Sequence, residues 1–447
     1  MSQTTPCHLA IHARWVIPVR PAGSVLENHV VVINDGRIID ILPARDARAR
    51  YSPKEWLDRP RHALVPGLVN AHTHAPMTLM RGFADDLPLM EWLNGHIWPA
   101  EQEHVDEEFV EAGARLAMAE MLLGGTTCFN DMYFHPEVVA RLAVKTGIRA
   151  CVGMIVLEMP TRWAADSAEY IEKGLKVHDE FRHDELVVTA FAPNAPYTVE
   201  DASLSRVRTL SDELDVPVHI HVHETRHEID ASIDRYGVRP LERLASLGLA
   251  TPRLVAVHMT QLMPEEVRFL AAEGVNVVHC PQSNLKLASG FCPAGALLDA
   301  GVNVAVGTDG AASNNDLDLI EETRSAALLA KAVAASPVSL PAHAALEMAT
   351  INGARALGLD QDIGSLEAGK LADVIAVDLG APRTTPVYDA ISQLVYSASS
   401  EQVSDVWVAG RRLLNERRLT TIDVPAATDA AERWRHELFK HAGGKTP

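Results

Sequence analysis

The stretch Pro66-Gly67-Leu68-Val69-Asn70-Ala71-His72-Thr73-His74 decides the fold. It starts inside an apolar run, Leu64 to Ala71, that reads as a buried strand, and it ends on two imidazoles two residues apart. Side chains alternate faces along a strand, so positions i and i+2 point the same way and two ring nitrogens can meet one metal ion. Zinc accepts such ligands. With 20 His among 447 residues, a His-x-His pair means little by itself, and its position gives it weight. A parallel α/β barrel carries its chemistry at the C-terminal ends of its strands, where this pair stands.

Downstream of Leu64, apolar runs alternate with amphipathic stretches, the pattern of a parallel sheet. Strands are expected at 64–71, 125–130, 147–155, 187–192, 216–222, 253–258, 275–280 and 302–308. Helices are expected at 107–123, 137–146, 166–181, 200–214, 263–273, 317–334 and near 342–357. Eight strands close a barrel.

Upstream, the grammar is that of short strands. His8 to Val19, Val30 to Ile33 and Arg37 to Ile41 are apolar runs, the last two joined by Asn34-Asp35-Gly36, a hairpin signal because Gly tolerates positive φ. The same grammar returns at Asp373 to Val377 and Val403 to Val408, with Ala409-Gly410-Arg411 echoing Asp35-Gly36-Arg37. The two ends of the chain are therefore expected to pair outside the barrel. The expected domains are a composite β-sandwich with a C-terminal helix, residues 1–63 and 365–447, and a barrel, residues 64–364. Residues 426–441 read as a surface helix and the last few as disordered.

Composition narrows the function. A hydrophobic share of 47% and a charged share of 22% are those of a globular protein. A formal charge of -19 argues against binding nucleic acid through its phosphates, which needs clustered Lys and Arg. Met1 to Arg20 lacks a basic start followed by an apolar run, and no later stretch reaches the roughly 18 apolar residues of a membrane span, so a cytoplasmic location is expected. Cys7, Cys128, Cys151, Cys280 and Cys292 are scattered, without CxxC spacing, and are expected to be reduced, buried thiols.

Other strand ends carry polar groups. Val216 to Glu224 places His219, His221 and His223 on one face, so spacing alone does not name a ligand. Depth favours His221 or His223 over His219, which lies a layer further in. Glu224 follows where the strand gives way to a loop, and a carboxylate beside activated water can take its proton. Strand six ends on His258 and strand eight runs into Gly307-Thr308-Asp309. Asp309 can supply an anionic oxygen to a metal and also accept a proton, although a lone Asp after a strand commonly caps the next helix.

His72-Thr73-His74, His221, His258 and Asp309, with the tail motif Gly364 to Asp373, resemble the pattern of the amidohydrolase superfamily over roughly residues 10–425. The resemblance implies a (β/α)8 TIM barrel with a composite β-sandwich. Binuclear members resemble one another in a carboxylated Lys at the end of strand four, and Leu186 to Asn194 holds no Lys. One Zn2+ is therefore expected, held by His72, His74, His221 and Asp309, with water in the open position; Fe2+, Mn2+ or Co2+ suit the same ligands. The implied catalytic groups are Glu224, moving a proton to a ring nitrogen, His258, orienting the nucleophile, and Asp309, taking its second proton.

Ala75 to Leu93 and Ile97 to Glu101 look like the 5'-methylthioadenosine/S-adenosylhomocysteine deaminase branch, related to the triazine chlorohydrolase group. That likeness implies that Trp92 packs on a purine and Glu101 accepts hydrogen bonds from ribose hydroxyls, with Glu224 and His258 also touching substrate. Where the branch usually has Pro-His before Pro-Tyr, this chain has Pro193-Asn194-Ala195-Pro196-Tyr197. Losing a charge-assisted contact costs about 1.5–3 kcal/mol, roughly 10- to 100-fold in affinity, which favours 5'-methylthioadenosine over a substrate with an amino-acid tail. Met77, Met90, Met132 and Met154 are candidates to line an apolar pocket for the thioether. The alternatives are a chlorohydrolase or a guanine- or triazine-type deaminase, and, more remotely, a non-catalytic nucleoside-binding barrel. Homodimers or larger homo-oligomers are implied by the resemblance, and no nucleic-acid or membrane partner is expected.

Overall fold

A computed structural model describes residues 4–441 of the chain. Among the described residues, sixteen strands form two sheets of eight. The first sheet opens with β1 (Thr5–Val16), β2 (Leu26–Asn34), β3 (Arg37–Pro43) and β4 (Tyr51–Pro66). The barrel follows as β5 (Leu68–Thr73), β6 (Thr126–Asp131), β7 (Arg149–Val156), β8 (Val187–Pro193), β9 (Val218–Val222), β10 (Leu254–His258), β11 (Asn276–His279) and β12 (Asn303–Val306). The chain then returns to the first sheet with β13 (Val374–Asp378), β14 (Val403–Val408), β15 (Arg411–Asn415) and β16 (Arg418–Leu419).

All eight barrel strands lie in sequence order and pair in parallel, with helices between them. The expected first strand, 64–71, is in fact two. Residues up to Pro66 finish β4, whose Leu64 and Val65 pair antiparallel with Ala376 and Ile375, and Gly67 marks the passage into β5. An unbroken apolar run hides this boundary because both halves are buried. The expected helix near 342–357 is likewise two, Ala342–Met348 and Ile351–Ala356.

The ring closes between β12 and β5 by other means than a ladder. Asn70 donates from Nδ2 to Thr308 Oγ1 at 2.7 Å and accepts from Thr308 N at 2.9 Å, and Asp309 N donates to the His72 carbonyl at 3.0 Å. Gly307 permits this approach, since a Cβ there would lie 2.7 Å from the His72 nitrogen. Chain closure and site assembly thus share the same residues.

In the other sheet the strand order is β16-β15-β14-β13-β4-β1-β2-β3, so the two ends of the chain share one hydrogen-bonded surface. Leu9, Ile11, Ile33, Leu64, Val374 and Trp407 form its core. The two expected hairpin turns meet: Gly36 and Gly410 both have positive φ, and a Cβ on Gly410 would lie 3.3 Å from the Gly36 Cα. A buried ion pair, Arg149 Nε to Asp373 Oδ2 at 3.2 Å, ties β7 to the tail motif. The C-terminal helix, Val424–His441, does more than cover surface: Leu438 is buried and the Trp434 ring packs edge-on to Phe109 at 5.1 Å. The expected disorder of the last few residues falls outside the described residues. All five cysteines are free and buried. No helix among the described residues is long and apolar enough to cross a membrane.

Candidate active site

His72 and His74 stand at the mouth of the barrel, on β5 and just past it, as strand alternation requires. His72 is fully buried. Its Nε2 lies 3.2 Å from Asp309 Oδ1 and 3.2 Å from His221 Nε2, and His74 Nε2 lies 3.3 Å from the same Asp309 oxygen. The far side of each ring is tied down: His74 Nδ1 donates to the Met132 carbonyl at 2.5 Å, and His221 Nδ1 to the Asn194 carbonyl at 2.7 Å. A ring whose Nδ1 proton is committed to a carbonyl presents a lone pair on Nε2. Burial drives His72 and His221 toward that neutral form, holding His72 down to about 4 against the pull of Asp309 and His221 well below its usual value.

Asp309 completes the set. Burial alone would raise its carboxyl, but the hydrogen bond and charge of His72, with His74 and His258 nearby, hold it well below the usual carboxylate range. Its Oδ2 accepts from Ser283 Oγ at 2.6 Å and Ser313 Oγ at 3.0 Å, which leaves Oδ1 facing the imidazoles. The residue adopts φ +64°, and His258, Met259 and His223 are also left-handed. Such backbone is costly for non-glycine residues and persists where surrounding contacts over-determine it.

The three candidate histidines of β9 part company. His221 joins the cluster. His219 lies a layer deeper, its Nε2 2.8 Å from His72 Nδ1. His223 leaves the cluster altogether: β9 ends at Val222, the left-handed turn at 223 breaks the alternation, and His223 Nε2 accepts from Leu241 N at 3.1 Å. It was therefore never on the face that simple periodicity assigns to it.

Glu224 is buried, and burial raises its carboxyl pKa against the pull of His258. Its Oε2 lies 3.9 Å from His258 Nε2. Below it, the buried Glu228 accepts from the backbone N–H groups of His223 at 3.0 Å and Glu224 at 2.7 Å, fixing the turn that presents Glu224. His258 is held at Nδ1 by Asn284 Oδ1 at 2.9 Å, and its ring stacks on His221 with centroids 5.3 Å apart.

A cavity of about 1150 Å³, mouth included, opens over this cluster. His74, His221, Glu224, His258 and Asp309 line its floor, and Trp92, Glu101 and Asn194 line its walls. Trp92 ends the short helix Leu89–Trp92 and Glu101 lies on Trp98–His104, with a π-helical turn, Leu93–Ile97, between them. Burial pushes Glu101 up to about 7, with the Tyr133 hydroxyl pulling the other way. Of the four methionines named from sequence, Met77 and Met132 line the cavity; Met154 is core, against Gly174, and Met90 is not part of the lining. Met159, Ile155 and Leu157 make up the apolar wall instead.

Sequence reasoning missed Ser283, Asn284, Ser313, Tyr133, Arg162 and Trp163. The run Ser283-Asn284 after strand seven was the available signal. The carbonyls of Met132 and Asn194 carry no side-chain signature at all.

Over residues 63–413 the sequence matches the model of the amidohydrolase family. The chain belongs to the amidohydrolase family. Two amidohydrolase relatives are named 5-methylthioadenosine/S-adenosylhomocysteine deaminase. The one from Saccharophagus degradans is 49% identical over 446 residues, covering 100% of both chains. The one from Teredinibacter turnerae is 49% identical over 438 residues, covering 98% of this chain and 99% of the relative. The crystal structure of an adenosine deaminase from Xanthomonas campestris with bound zinc superposes with a TM-score of 0.97 at 53% identity, covering 98% of this amidohydrolase chain and 100% of that one.

Proposed function

We propose that this chain is a zinc-dependent aminohydrolase that converts 5'-methylthioadenosine to 5'-methylthioinosine and ammonia, with S-adenosylhomocysteine and adenosine as weaker substrates. One observation carries the reading: His72 and His74 direct Nε2 toward one carboxylate oxygen of Asp309, and ligand nitrogens of His72, His74 and His221 lie within 4.8 Å of one another, in a cavity whose walls hold Trp92 and Glu101. The donor chemistry fits zinc, with neutral imidazoles and one carboxylate, each fixed by a further hydrogen bond. The names of the two relatives and the zinc bound in the Xanthomonas campestris structure support it.

His72, His74, His221 and Asp309 would hold the ion. Bound there, it would supply Lewis acidity that lowers the pKa of water from about 15.7 toward about 7. Glu224, whose carboxyl pKa burial raises, takes one proton from the water and delivers it to the ring nitrogen beside the amine-bearing carbon. That carbon becomes electrophilic and the water oxygen adds to it. His258, anchored by Asn284, steers the oxygen, and Asp309 passes the remaining hydroxyl proton to the departing amine, which leaves as ammonia.

Glu101 accepts the ribose 2'- and 3'-hydroxyls with its two oxygens while Trp92 packs on the purine. Asn194, Met132, Met159 and Leu157 give the 5' end a neutral, largely apolar setting. Arg162 is the cation among the lining residues, and it is engaged elsewhere, donating to the Glu103 carbonyl at 2.9 Å and lying 3.7 Å from Asp106 Oδ2. An uncharged thioether suits such a wall better than an amino-acid tail.

The division into residues 1–63 with 365–447 and residues 64–364, a cytoplasmic location and a homo-oligomeric state belong to the same proposal. Comparing kcat/KM for 5'-methylthioadenosine, S-adenosylhomocysteine, adenosine, guanine and a chlorotriazine tests it. The first should lead by at least tenfold; a leading free base or triazine would overturn the substrate assignment.

A further inference from the structure

Outside the catalytic cluster, among the described residues, one more group of donors converges. Nitrogen of His135 and carboxylate oxygens of Glu107 and Glu137 all lie within 4.8 Å of one another. His135 is more than nine-tenths buried, at 8% exposure, and neither of its ring nitrogens makes a hydrogen bond. Glu137 Oε2 is buried and also without a hydrogen-bond partner. The closest approach between the two, His135 Nδ1 to Glu137 Oε1, is 3.5 Å, longer than the hydrogen bond that a simple neutral pair would form.

Leaving a buried imidazole with both nitrogens unsatisfied costs free energy that a bound cation would recover. The surroundings are those of a metal ligand set. Glu137 Oε1 accepts from Trp163 Nε1 at 3.3 Å, the kind of outer hydrogen bond that orients a ligating carboxylate. Glu107, the first residue of the helix Glu107–Leu123, is exposed, so water can complete the coordination from the solvent side.

We propose that Glu107, His135 and Glu137 form a second divalent-cation site, of zinc type, at the rim of the substrate cavity. One imidazole and two carboxylates are ordinary zinc donors, and they also suit manganese or cobalt. The site has a place in the architecture. His135 follows directly on Met132, Tyr133 and Phe134, which line the cavity and whose first member holds the His74 ring, and Trp163, whose ring centroid lies 6.4 Å from that of His135, lines the same cavity. An ion there would join this loop to the helix at Glu107 and brace the wall, without touching the reacting atoms.

Metal content of the tag-free holoenzyme, equilibrated with buffered micromolar free Zn2+ and measured by inductively coupled plasma mass spectrometry, tests the assignment. Wild type should hold two ions per chain. Glu137→Gln and His135→Asn should hold one and keep turnover within about twofold, because the catalytic ion remains. Glu107→Gln, at an exposed helix start where folding is not at stake, should weaken the second ion at least tenfold in a zinc titration. One ion in the wild type, or two ions that persist in all three variants, would overturn the proposal.

Discussion

His72 Nδ1 lies 2.8 Å from Nε2 of His219, one layer deeper in the barrel. For His72 to present its Nε2 lone pair, Nδ1 must carry the proton and donate to His219, so the deeper ring sets the tautomer of the ligand above it. Replacing an outer partner of this kind typically costs 10–100-fold in metal affinity. His219→Ala is therefore expected to lose zinc about 10- to 100-fold more readily to a competing chelator. Gln at that position keeps an acceptor and should restore most of the affinity.

With Glu101 as the proposed acceptor for the ribose hydroxyls, nucleoside binding should depend on pH. Burial pushes its carboxyl up to about 7, with the Tyr133 hydroxyl pulling the other way, and ribose hydroxyls bond best to the ionised form. Affinity should then be lost as pH falls through about 7 and be full above it. The effect on stability has the opposite sense. The fold holds this proton more tightly than the unfolded chain, so the stabilisation is present below the ordinary 4.5 and is lost as pH rises through about 7. Calorimetric titration of an unreactive nucleoside between pH 5 and 9 reads the binding limb, and Glu101→Gln should flatten it.

Asn194 separates two jobs that sequence alone runs together. Its carbonyl holds His221, whereas its side chain faces the cavity, accepting from Thr198 Oγ1 at 3.2 Å. Asn194→His should thus leave zinc content unchanged and raise kcat/KM for S-adenosylhomocysteine relative to 5'-methylthioadenosine by about tenfold, the gain of one charge-assisted contact. An unchanged ratio in steady-state assays would show that the tail is read elsewhere.

Away from the site, Asp405 is the anchor of the first sheet. It is fully buried and accepts from Arg59 Nε at 2.8 Å, from Arg59 Nη2 at 3.1 Å and from Arg412 Nε at 3.1 Å, joining β4, β14 and β15. Burial alone would raise its carboxyl; the two guanidinium groups overcome that and bring it down to about 2. Its contribution is present above the ordinary 3.8 and is lost as pH falls through about 2. Asp405→Asn leaves two cations facing a neutral amide and should cost roughly 3–5 kcal/mol in denaturant unfolding at neutral pH.

How much of this was legible in the sequence follows from where regular structure holds. His72 and His74 lie on and just past a regular strand, so a period of two placed them correctly. His223 was misleading because β9 stops one residue earlier and the left-handed turn removes the period. The eight barrel strands were readable as apolar runs, but the border at Gly67 was not, since β4 and β5 are both buried there and no polar residue marks the change of sheet. Trp92 and Glu101 came from resemblance rather than pattern: residues 75–104 mix a 3-10 turn, short helices and a π-helical turn, which leave no steady period to detect. The groups that hold the ligands from behind are backbone carbonyls and small polar side chains, chemically silent until the fold brings them within 3 Å.

The proposed chemistry requires one ion bound at the mouth of the barrel by His72, His74, His221 and Asp309. Anomalous diffraction at the zinc absorption edge, from crystals of the zinc-loaded protein, measures this directly. The prediction is a single peak in that cluster, within about 2.0–2.2 Å of the Nε2 atoms of His72, His74 and His221 and of an Asp309 oxygen. Two peaks bridged by a modified Lys, or none between those four groups, would contradict it.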